Sequence, residues 1–127
     1  MEKLSGKCPF CGGETRISRV SCTRCGVHIE GDLELPRLAR LSPESRKFME
    51  MYVLSNGSMK EMGTRVGLSY RPLKVRMDRI VKELREERAR DEARRLELLE
   101  SVAEGTLSAE AAAARIEELD LSPYGGE

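Results

Sequence analysis

Two pairs of cysteines have the spacing of metal ligands. Cys8 and Cys11 form one Cys-x-x-Cys-Gly motif, and Cys22 and Cys25 form a second, with ten residues between the two motifs. Two residues between ligands allow a tight turn to direct both sulfurs to one point, and the following glycine can adopt the positive φ that closes such a turn. Four thiolates complete the tetrahedral site that zinc prefers. The spacing therefore predicts one zinc ion held by all four cysteines.

Such a site is closed, because four sulfurs leave no coordination position for a substrate, and its expected role is structural. Two alternatives would use the same cysteines, namely disulfide bonds or an iron site. His28 is the only histidine. It is interpreted as an exposed strand residue rather than a ligand, because the four sulfurs already suffice.

Short β-strands are expected to position the cysteines. The segment between the motifs, "GGETRISRVS", is rich in β-forming residues and long enough for a short hairpin. The segment "GVHIEG" alternates like a further strand, with Val27 and Ile29 on one face. Residues 1–31 are therefore predicted to form a zinc ribbon, in which the metal supplies folding free energy that so short a segment could not obtain from a core.

The middle of the chain contains start and stop signals for three helices. A linker at residues 32–41 comes first, and Pro36 with its flanking leucines indicates that this linker packs rather than moves freely. The expected capping and terminating residues are Ser42 followed by Pro43 and Glu44, then Ser58, Gly67 and Ser69. They predict a first helix from Pro43, a second at Met59–Val66 and a longer third helix.

The predicted order of elements is a helix, a turn, a short helix, Gly-Leu-Ser and a longer helix. This is the order of a helix-turn-helix, which is predicted here over residues 42–88. The apolar positions of the three helices agree with a shared core. The expected core residues are Phe48, Met51, Tyr52 (or Leu54), Met62, Val66, Leu68, Leu73, Met77, Ile80 and Leu84.

The third helix begins within a basic stretch, "GLSYRPLKVRMDRI", which holds four cations and one carboxylate. Its exposed N-terminal half fits a recognition helix in the major groove of double-stranded DNA, with the later cations near phosphates. Arg76 lies beside the apolar stripe and is interpreted as a helix-packing or ion-pairing residue. The alternative for the whole face is a solvated basic surface. The candidate DNA-binding residues are Ser69, Tyr70, Arg71, Lys74, Val75, Arg79 and Lys82.

The chain resembles an uncharacterised prokaryotic family in three places. These are the cysteine motifs, "GDLELPRLARLSPE" and "GSMKEMGTRVGLSY". That family pairs an N-terminal zinc ribbon with a helix-turn-helix similar to sigma-factor region 4, and the resemblance covers nearly the whole chain. It implies that the four cysteines are the metal ligands and that Ser69, Tyr70, Lys74 and Arg76 open the recognition helix. The chain differs from the family pattern at Arg71-Pro72-Leu73 and at Val75, which implies a different or a weakened sequence specificity.

The third helix is expected to continue without a break into an acidic tail at residues 89–127. Leu96, Leu99 and Val102 are predicted to form its apolar stripe, and Gly105 to end it. Ser108 then caps a last helix, whose predicted face contains Ala112, Ile116 and Leu119. The resulting helical hairpin is too small to bury its apolar faces alone, which favours a homodimer through these helices or another protein partner.

Charge and composition limit the possible functions. The net charge is zero, but residues 42–88 hold eleven cations against seven carboxylates and residues 89–127 hold four against ten. An anionic partner is therefore expected for the middle of the chain. No apolar run has the length of a membrane helix, and "MEKLSGK" lacks an apolar signal core, so we expect a cytoplasmic protein without a membrane partner.

The predicted fold class is mainly α with a small β zinc ribbon, followed by the helix-turn-helix and a C-terminal helical hairpin. The leading interpretation is a DNA-binding transcriptional regulator with a structural zinc ribbon. An adaptor that docks on RNA polymerase or another transcription factor is the alternative from a different class. RNA binding by the ribbon is less favoured, because Phe10 is the only aromatic residue there for base stacking. We expect no enzyme and no small-molecule substrate, because the sequence contains no catalytic set and no phosphate-binding loop.

Overall fold

Two short strands followed by five helices make up the chain, whose computed structural model describes residues 6–119. The elements are β1 (Ile17–Ser21), β2 (His28–Leu33), α1 (Arg37–Arg40), α2 (Pro43–Leu54), α3 (Met59–Val66), α4 (Tyr70–Ala103) and α5 (Ala109–Glu118). The predicted fold class, mainly α with a small β zinc ribbon, is confirmed. The chain divides into two compact units between Leu84 and Arg85, inside α4. The module boundaries predicted at residues 31, 41 and 88 stay predictions.

Strand β1 pairs with β2 in an antiparallel ladder that encloses the second cysteine motif. Val20 lies opposite Ile29, Ser21 lies opposite His28, and the register shifts near the start of β1. The prediction of a hairpin within "GGETRISRVS" is wrong, because this segment supplies a single strand whose partner comes after Cys25. The partner strand begins after the second cysteine motif, so alternation within the segment alone could not reveal the pairing.

The two faces of the β1–β2 hairpin differ in character. Arg19 forms an ion pair of 3.3 Å with Glu30, its cross-strand neighbour. The adjacent pair, Val20 and Ile29, points to the opposite face because strand side chains alternate, and both side chains are exposed. No side chain between residues 6 and 34 is buried. The ribbon therefore has no hydrophobic core of its own.

The linker between the ribbon and the helices packs, as predicted. Leu35 and Leu41 are buried on either side of the single-turn helix α1. Pro36 begins that turn, since its carbonyl accepts the N–H groups of Ala39 and Arg40 at 2.9 and 3.2 Å. The burial of Leu41 makes this linker part of the helical core.

Capping residues define α2 and α3 where the sequence predicts them. The hydroxyl of Ser42 accepts the N–H of Ser45 at 3.2 Å, and that of Ser58 accepts the N–H of Glu61 at 3.2 Å. Gly67 ends α3 with φ of +71°, a left-handed conformation that glycine adopts without strain. Three residues later α4 begins at Tyr70, so the helix-turn-helix order is present.

The core of the first unit lies between α2, α3 and α4. Leu41, Phe48, Met62, Leu73 and Ile80 are its buried residues. Five further predicted positions pack against them, namely Met51, Tyr52, Leu68, Met77 and Leu84. One expectation fails, because Val66 is 39% exposed, and of the alternatives Tyr52 and Leu54 it is Tyr52 that packs, since Leu54 is 56% exposed. Val66 and Leu54 both lie in the last turn of their helices, where the chain leaves the core.

A glycine sets the closeness of α3 to the turn that follows it. Gly63 is buried within α3, and a Cβ at this position would lie 2.6 Å from the carbonyl oxygen of Leu68 and 3.4 Å from the side chain of Leu73. The N–H of Leu68 donates to the carbonyl of Gly63 at 3.0 Å. Only a residue without Cβ permits this approach of the turn to the helix.

The second unit contains the end of α4, a turn and α5. Ser108 caps α5 by accepting the N–H of Ala111 at 3.1 Å, and Gly105 in the turn has φ of +77°, as the sequence predicts. The predicted apolar stripe of α4 is wrong, however. Leu96 and Leu99 are 51% and 44% exposed, whereas Leu98, between them in sequence, is 4% exposed. Leu98 lies about 100° around the helix from Leu99, and Val102, the third predicted position, is half-buried, so the buried face is rotated by about 100° from the predicted one.

The predicted face of α5 is confirmed. Ala112 and Leu119 are buried and Ile116 is half-buried. None of the helices within residues 6–119 combines the length and the apolar character needed to cross a membrane.

Candidate functional site

The two cysteine motifs adopt the same backbone hydrogen-bonding pattern. In the first, Gly12 donates its N–H to the carbonyl of Cys8 at 2.9 Å, and Cys8 donates to the carbonyl of Gly13 at 2.7 Å. In the second, Gly26 donates to Cys22 at 3.0 Å and Cys22 donates to Val27 at 2.8 Å. The two glycines have φ of +73° and +75°. Each motif is therefore a closed turn built for a glycine at its fifth position.

Backbone N–H groups point at the sulfurs within these turns. Gly13 donates to the Sγ of Cys11 at 3.4 Å, and Cys25 donates to the Sγ of Cys22 at 3.5 Å. The backbone N–H of Cys11 lowers the pKa of Cys8, and the backbone N–H of Cys25 lowers the pKa of Cys22. A lowered thiol pKa favours the thiolate, which is the form that binds metal.

The sulfurs are grouped in pairs, one pair in each turn. The side chain of Cys11 also lowers the pKa of Cys8, and the side chain of Cys25 lowers that of Cys22. Within residues 6–119 no three potential ligands converge on one point. The donor chemistry and the N–H groups fit zinc, and all four cysteines would hold it. Bound zinc supplies cross-linking of the two turns rather than reactivity.

His28 is engaged elsewhere. Its Nδ1 lies 2.7 Å from the hydroxyl of Ser21, its cross-strand neighbour. This contact agrees with the interpretation of His28 as a strand residue.

The candidate DNA-binding residues lie on the surface at the start of α4. Ser69 directly precedes the helix, and Tyr70, Arg71 and Val75 are exposed in its first turns. Lys74 is exposed and forms an ion pair of 2.8 Å with Asp78, one turn later. This hydrogen bond and the charge of Asp78 raise the pKa of Lys74. Arg79 and Lys82 are also exposed.

Three arginines of α4 carry unneutralised charge. Among the ion pairs formed within residues 6–119, none involves Arg71, Arg76 or Arg79. Lys74 is the only cation in the first three turns of α4 that such a pair engages in this part of the chain. The start of α4 therefore presents an excess of positive charge, as an anionic ligand requires.

Arg76 and Arg79 also line a groove between α2, α3 and α4. The groove has a volume of about 500 Å³, and its apolar floor includes Phe48, Met62 and Ile80. Glu83 lies at the same groove, where its carboxylate accepts a hydrogen bond of 2.9 Å from Ser45. Arg76 was interpreted as a packing or ion-pairing residue, but it is exposed at the rim.

Comparisons with protein families agree with this architecture. The model of the DUF2089 zinc ribbon matches residues 8–39, and the model of the helix-turn-helix of the same domain of unknown function matches residues 41–87. The predicted zinc ribbon and helix-turn-helix are thus confirmed, and the four cysteines in two close pairs are consistent with one structural zinc. The matches end at residue 87, short of the nearly complete coverage that the resemblance implied. No curated protein and no solved structure matches the chain significantly.

Proposed function

Because the chain belongs to the DUF2089 family and carries both its zinc ribbon and its helix-turn-helix, we propose that it is a DNA-binding transcriptional regulator. In this proposal α4 enters the major groove with its N-terminal turns, and the ribbon is a structural module held by zinc. A binding role without catalysis is part of the proposal, since a structural zinc would use all four cysteines as ligands.

The observation that carries the proposal is the charge and exposure at the start of α4. Arg71 and Lys74 lie within its first turns and are exposed, and α3 with the turn at Gly67 precedes them. In a helix-turn-helix this is the position whose side chains reach base edges. Arg79 and Lys82 follow on the same helix, where contacts to phosphates are expected.

Double charge reversal at Arg71→Glu/Lys74→Glu is expected to weaken duplex binding by about 100-fold, because two favourable phosphate or base contacts become repulsive. The measurement is fluorescence anisotropy of zinc-loaded protein with a pool of random-sequence duplexes across a salt series. Binding by the unchanged protein is expected to fall steeply with salt, since each phosphate contact contributes a slope of about −0.9 to log K against log salt.

Arg90→Glu/Arg94→Glu is the matched control, because it makes the same charge change farther along α4. Its affinity should stay within a few-fold of the unchanged protein. The DNA proposal is rejected if folded, zinc-loaded protein does not bind duplex even at low salt, or if both double variants lose affinity equally.

Asp78→Asn is expected to strengthen duplex binding by a few-fold. Asp78 pairs with Lys74 at 2.8 Å, so its carboxylate both neutralises that cation and repels phosphates. The same anisotropy assay measures the gain, which should shrink as salt screens the charges. Glu97→Gln, also a partner in an exposed ion pair of α4, is the control and should leave affinity unchanged.

A second candidate function is a protein-interaction adaptor, which docks on RNA polymerase or another transcription factor. It is favoured by the exposed apolar residues of the ribbon, where Phe10 is 90% exposed and Val27, Val20 and Ile29 are also exposed. An apolar surface of this kind is typical of a protein contact rather than of a phosphate contact. If the chain is an adaptor, the Arg71→Glu/Lys74→Glu variant should still capture RNA polymerase or another transcription factor in a pull-down from cells. The Val20→Gln/Ile29→Gln variant should not.

A further inference from the structure

The groove between α2, α3 and α4 contains three side chains whose sequence pattern predicts burial or pairing that the fold does not supply. Val66 belongs to the predicted core but is 39% exposed, and Met51, which lines the same groove, is only half-buried. Arg76 is expected to pack or to form an ion pair, yet it is exposed and forms no ion pair within residues 6–119. An occupant with an apolar body and a negative charge would supply what all three side chains lack.

The groove has the size of a small-molecule site. Its volume of about 500 Å³ lies within the range of about 300–1,000 Å³ that such sites occupy. Its floor is formed by side chains of the core, such as Phe48, Met62 and Ile80, which are themselves buried. The packing of the three helices therefore holds the floor in place. All lining residues belong to the first compact unit, so the site is complete within that unit.

The charged residues of the groove are three cations and two carboxylates, namely Arg76, Arg79, Lys47, Glu44 and Glu83. Glu83 accepts the hydroxyl of Ser45 at 2.9 Å, and Glu44 precedes Ser45 in the chain, so both carboxylates lie near the start of α2. Arg79 and Arg76 lie about 6 and 10 Å from Glu83 along the axis of α4. Neither arginine is paired with a carboxylate in the described part of the chain. The positive charge of these two arginines is therefore available to a ligand.

We propose that this groove binds a small organic anion with an apolar body, such as an aromatic or branched carboxylate. The carboxylate lies between Arg76 and Arg79, whose guanidinium groups donate charge-assisted hydrogen bonds to it. The apolar body covers Val66 and Met51. Charge complementarity identifies an anion as the occupant, because the two arginines repel a cation and give a neutral ligand no electrostatic attraction. An inorganic anion would leave the apolar wall uncovered.

Titration with 2-naphthoate tests the site, followed in the ¹H–¹⁵N correlation spectrum of the full-length, zinc-loaded protein without DNA and at constant ionic strength. The amides of Met51, Val66, Arg76 and Arg79 should shift and saturate. A dissociation constant of about 1 mM or lower is expected from the usual contribution of each ligand atom to binding. The neutral 2-naphthamide has nearly the same shape, and it should bind about tenfold more weakly because it lacks the charge.

Substitutions separate the charged and the apolar parts of the site. Arg76→Gln/Arg79→Gln is expected to weaken naphthoate binding by about tenfold or more and to leave naphthamide binding unchanged. Arg90→Gln/Arg94→Gln removes the same charge from a part of α4 that does not line the groove, and it should change the affinity by less than about two-fold. Val66→Thr places a hydroxyl on the apolar wall and should weaken both ligands by a few-fold.

The proposal is overturned by an absence of saturable shifts up to about 10 mM naphthoate, by equal affinity for the amide, or by unchanged binding to Arg76→Gln/Arg79→Gln. Groove amides that shift with a DNA duplex but not with naphthoate would assign the two arginines to phosphates instead, and would equally overturn it. The site does not rest on the proposed DNA binding. Because the naphthoate titration contains no DNA, its failure is distinguishable from a failure of the proposed function.

Discussion

Removal of zinc with a strong chelator is expected to unfold the ribbon and to leave the helices folded. The reason is that residues 6–34 contain no buried side chain, so the segment has no hydrophobic core, and its exposed ion pairs, such as that of Arg19 with Glu30, contribute little to stability. A two-stranded hairpin is at best marginally stable in water. In small zinc domains of this kind the free energy of metal binding is the free energy of folding.

The measurement is the ¹H–¹⁵N correlation spectrum before and after chelation. The amides of β1 and β2 should collapse to random-coil shifts, while those of α2, α3 and α4 stay dispersed. Cys22→Ser should show the collapsed pattern even with zinc present. Ser18→Ala, which changes an exposed residue of β1, should not show the collapsed pattern. Dispersed hairpin amides after complete chelation would show that the ribbon folds without metal.

Acid should release the metal in the same way, and the direction follows from the thiol pKa values. The pKa of Cys8 and of Cys22 is lowered by backbone N–H groups, so the thiolate persists to lower pH than in a free thiol. Stability from the bound metal is therefore present at neutral pH and is lost as the pH falls and protons compete for the sulfurs.

Gly63→Ala is expected to destabilise the helix-turn-helix by about 1–2 kcal/mol. Two effects oppose each other here. Alanine favours a helix over glycine by about 1 kcal/mol, whereas overpacking a core costs about 1–3 kcal/mol. The new Cβ would lie 2.6 Å from the backbone oxygen of Leu68, and a backbone atom cannot move aside as a side chain can. The steric effect should therefore exceed the gain in helix propensity.

Urea unfolding followed by circular dichroism measures this change, and hydrogen exchange of the α3 and α4 amides localises it. Thr64→Ala is the matched control, because Thr64 is the next residue in α3 and is exposed. It should change the unfolding free energy by less than about 0.5 kcal/mol. A Gly63→Ala protein as stable as the unchanged one would mean that the turn at Leu68 relaxes freely.

The elements predicted well from the sequence are those whose signals are local. Ser42, Ser58, Ser108 and Gly67 begin or end their helices where expected, because a cap depends on hydrogen bonds within four or five residues. The cysteine turns are local for the same reason. Exposure of Arg71, Lys74, Arg79 and Lys82 also follows from helical periodicity alone, whereas Arg76 is exposed although periodicity placed it beside the apolar stripe.

The features that the sequence did not predict depend on contacts beyond a single helix or strand. The pairing of β1 with β2 joins segments across the second cysteine motif, and the burial of Leu41 depends on helices that follow it. From the sequence, Gly63 indicates only a low helix propensity. The requirement for glycine follows from the close approach of Leu68. In the charged stretch of α4, Leu96, Leu98 and Leu99 can be assigned to more than one apolar face of the helix. Helical periodicity supports these faces almost equally, so it could not identify the buried one.

The twin geometry of the cysteine turns separates two roles within each motif. The backbone bonds involve the first cysteine, the glycine and the residue after it, whereas the two central residues take no part in them. Pro9-Phe10 and Thr23-Arg24 therefore occupy equivalent positions at the tips of two turns that have the same backbone hydrogen bonds. Substitutions at these two positions should therefore leave the backbone hydrogen bonds of each turn in place. They would change only the aromatic or cationic group that the turn presents next to the metal site.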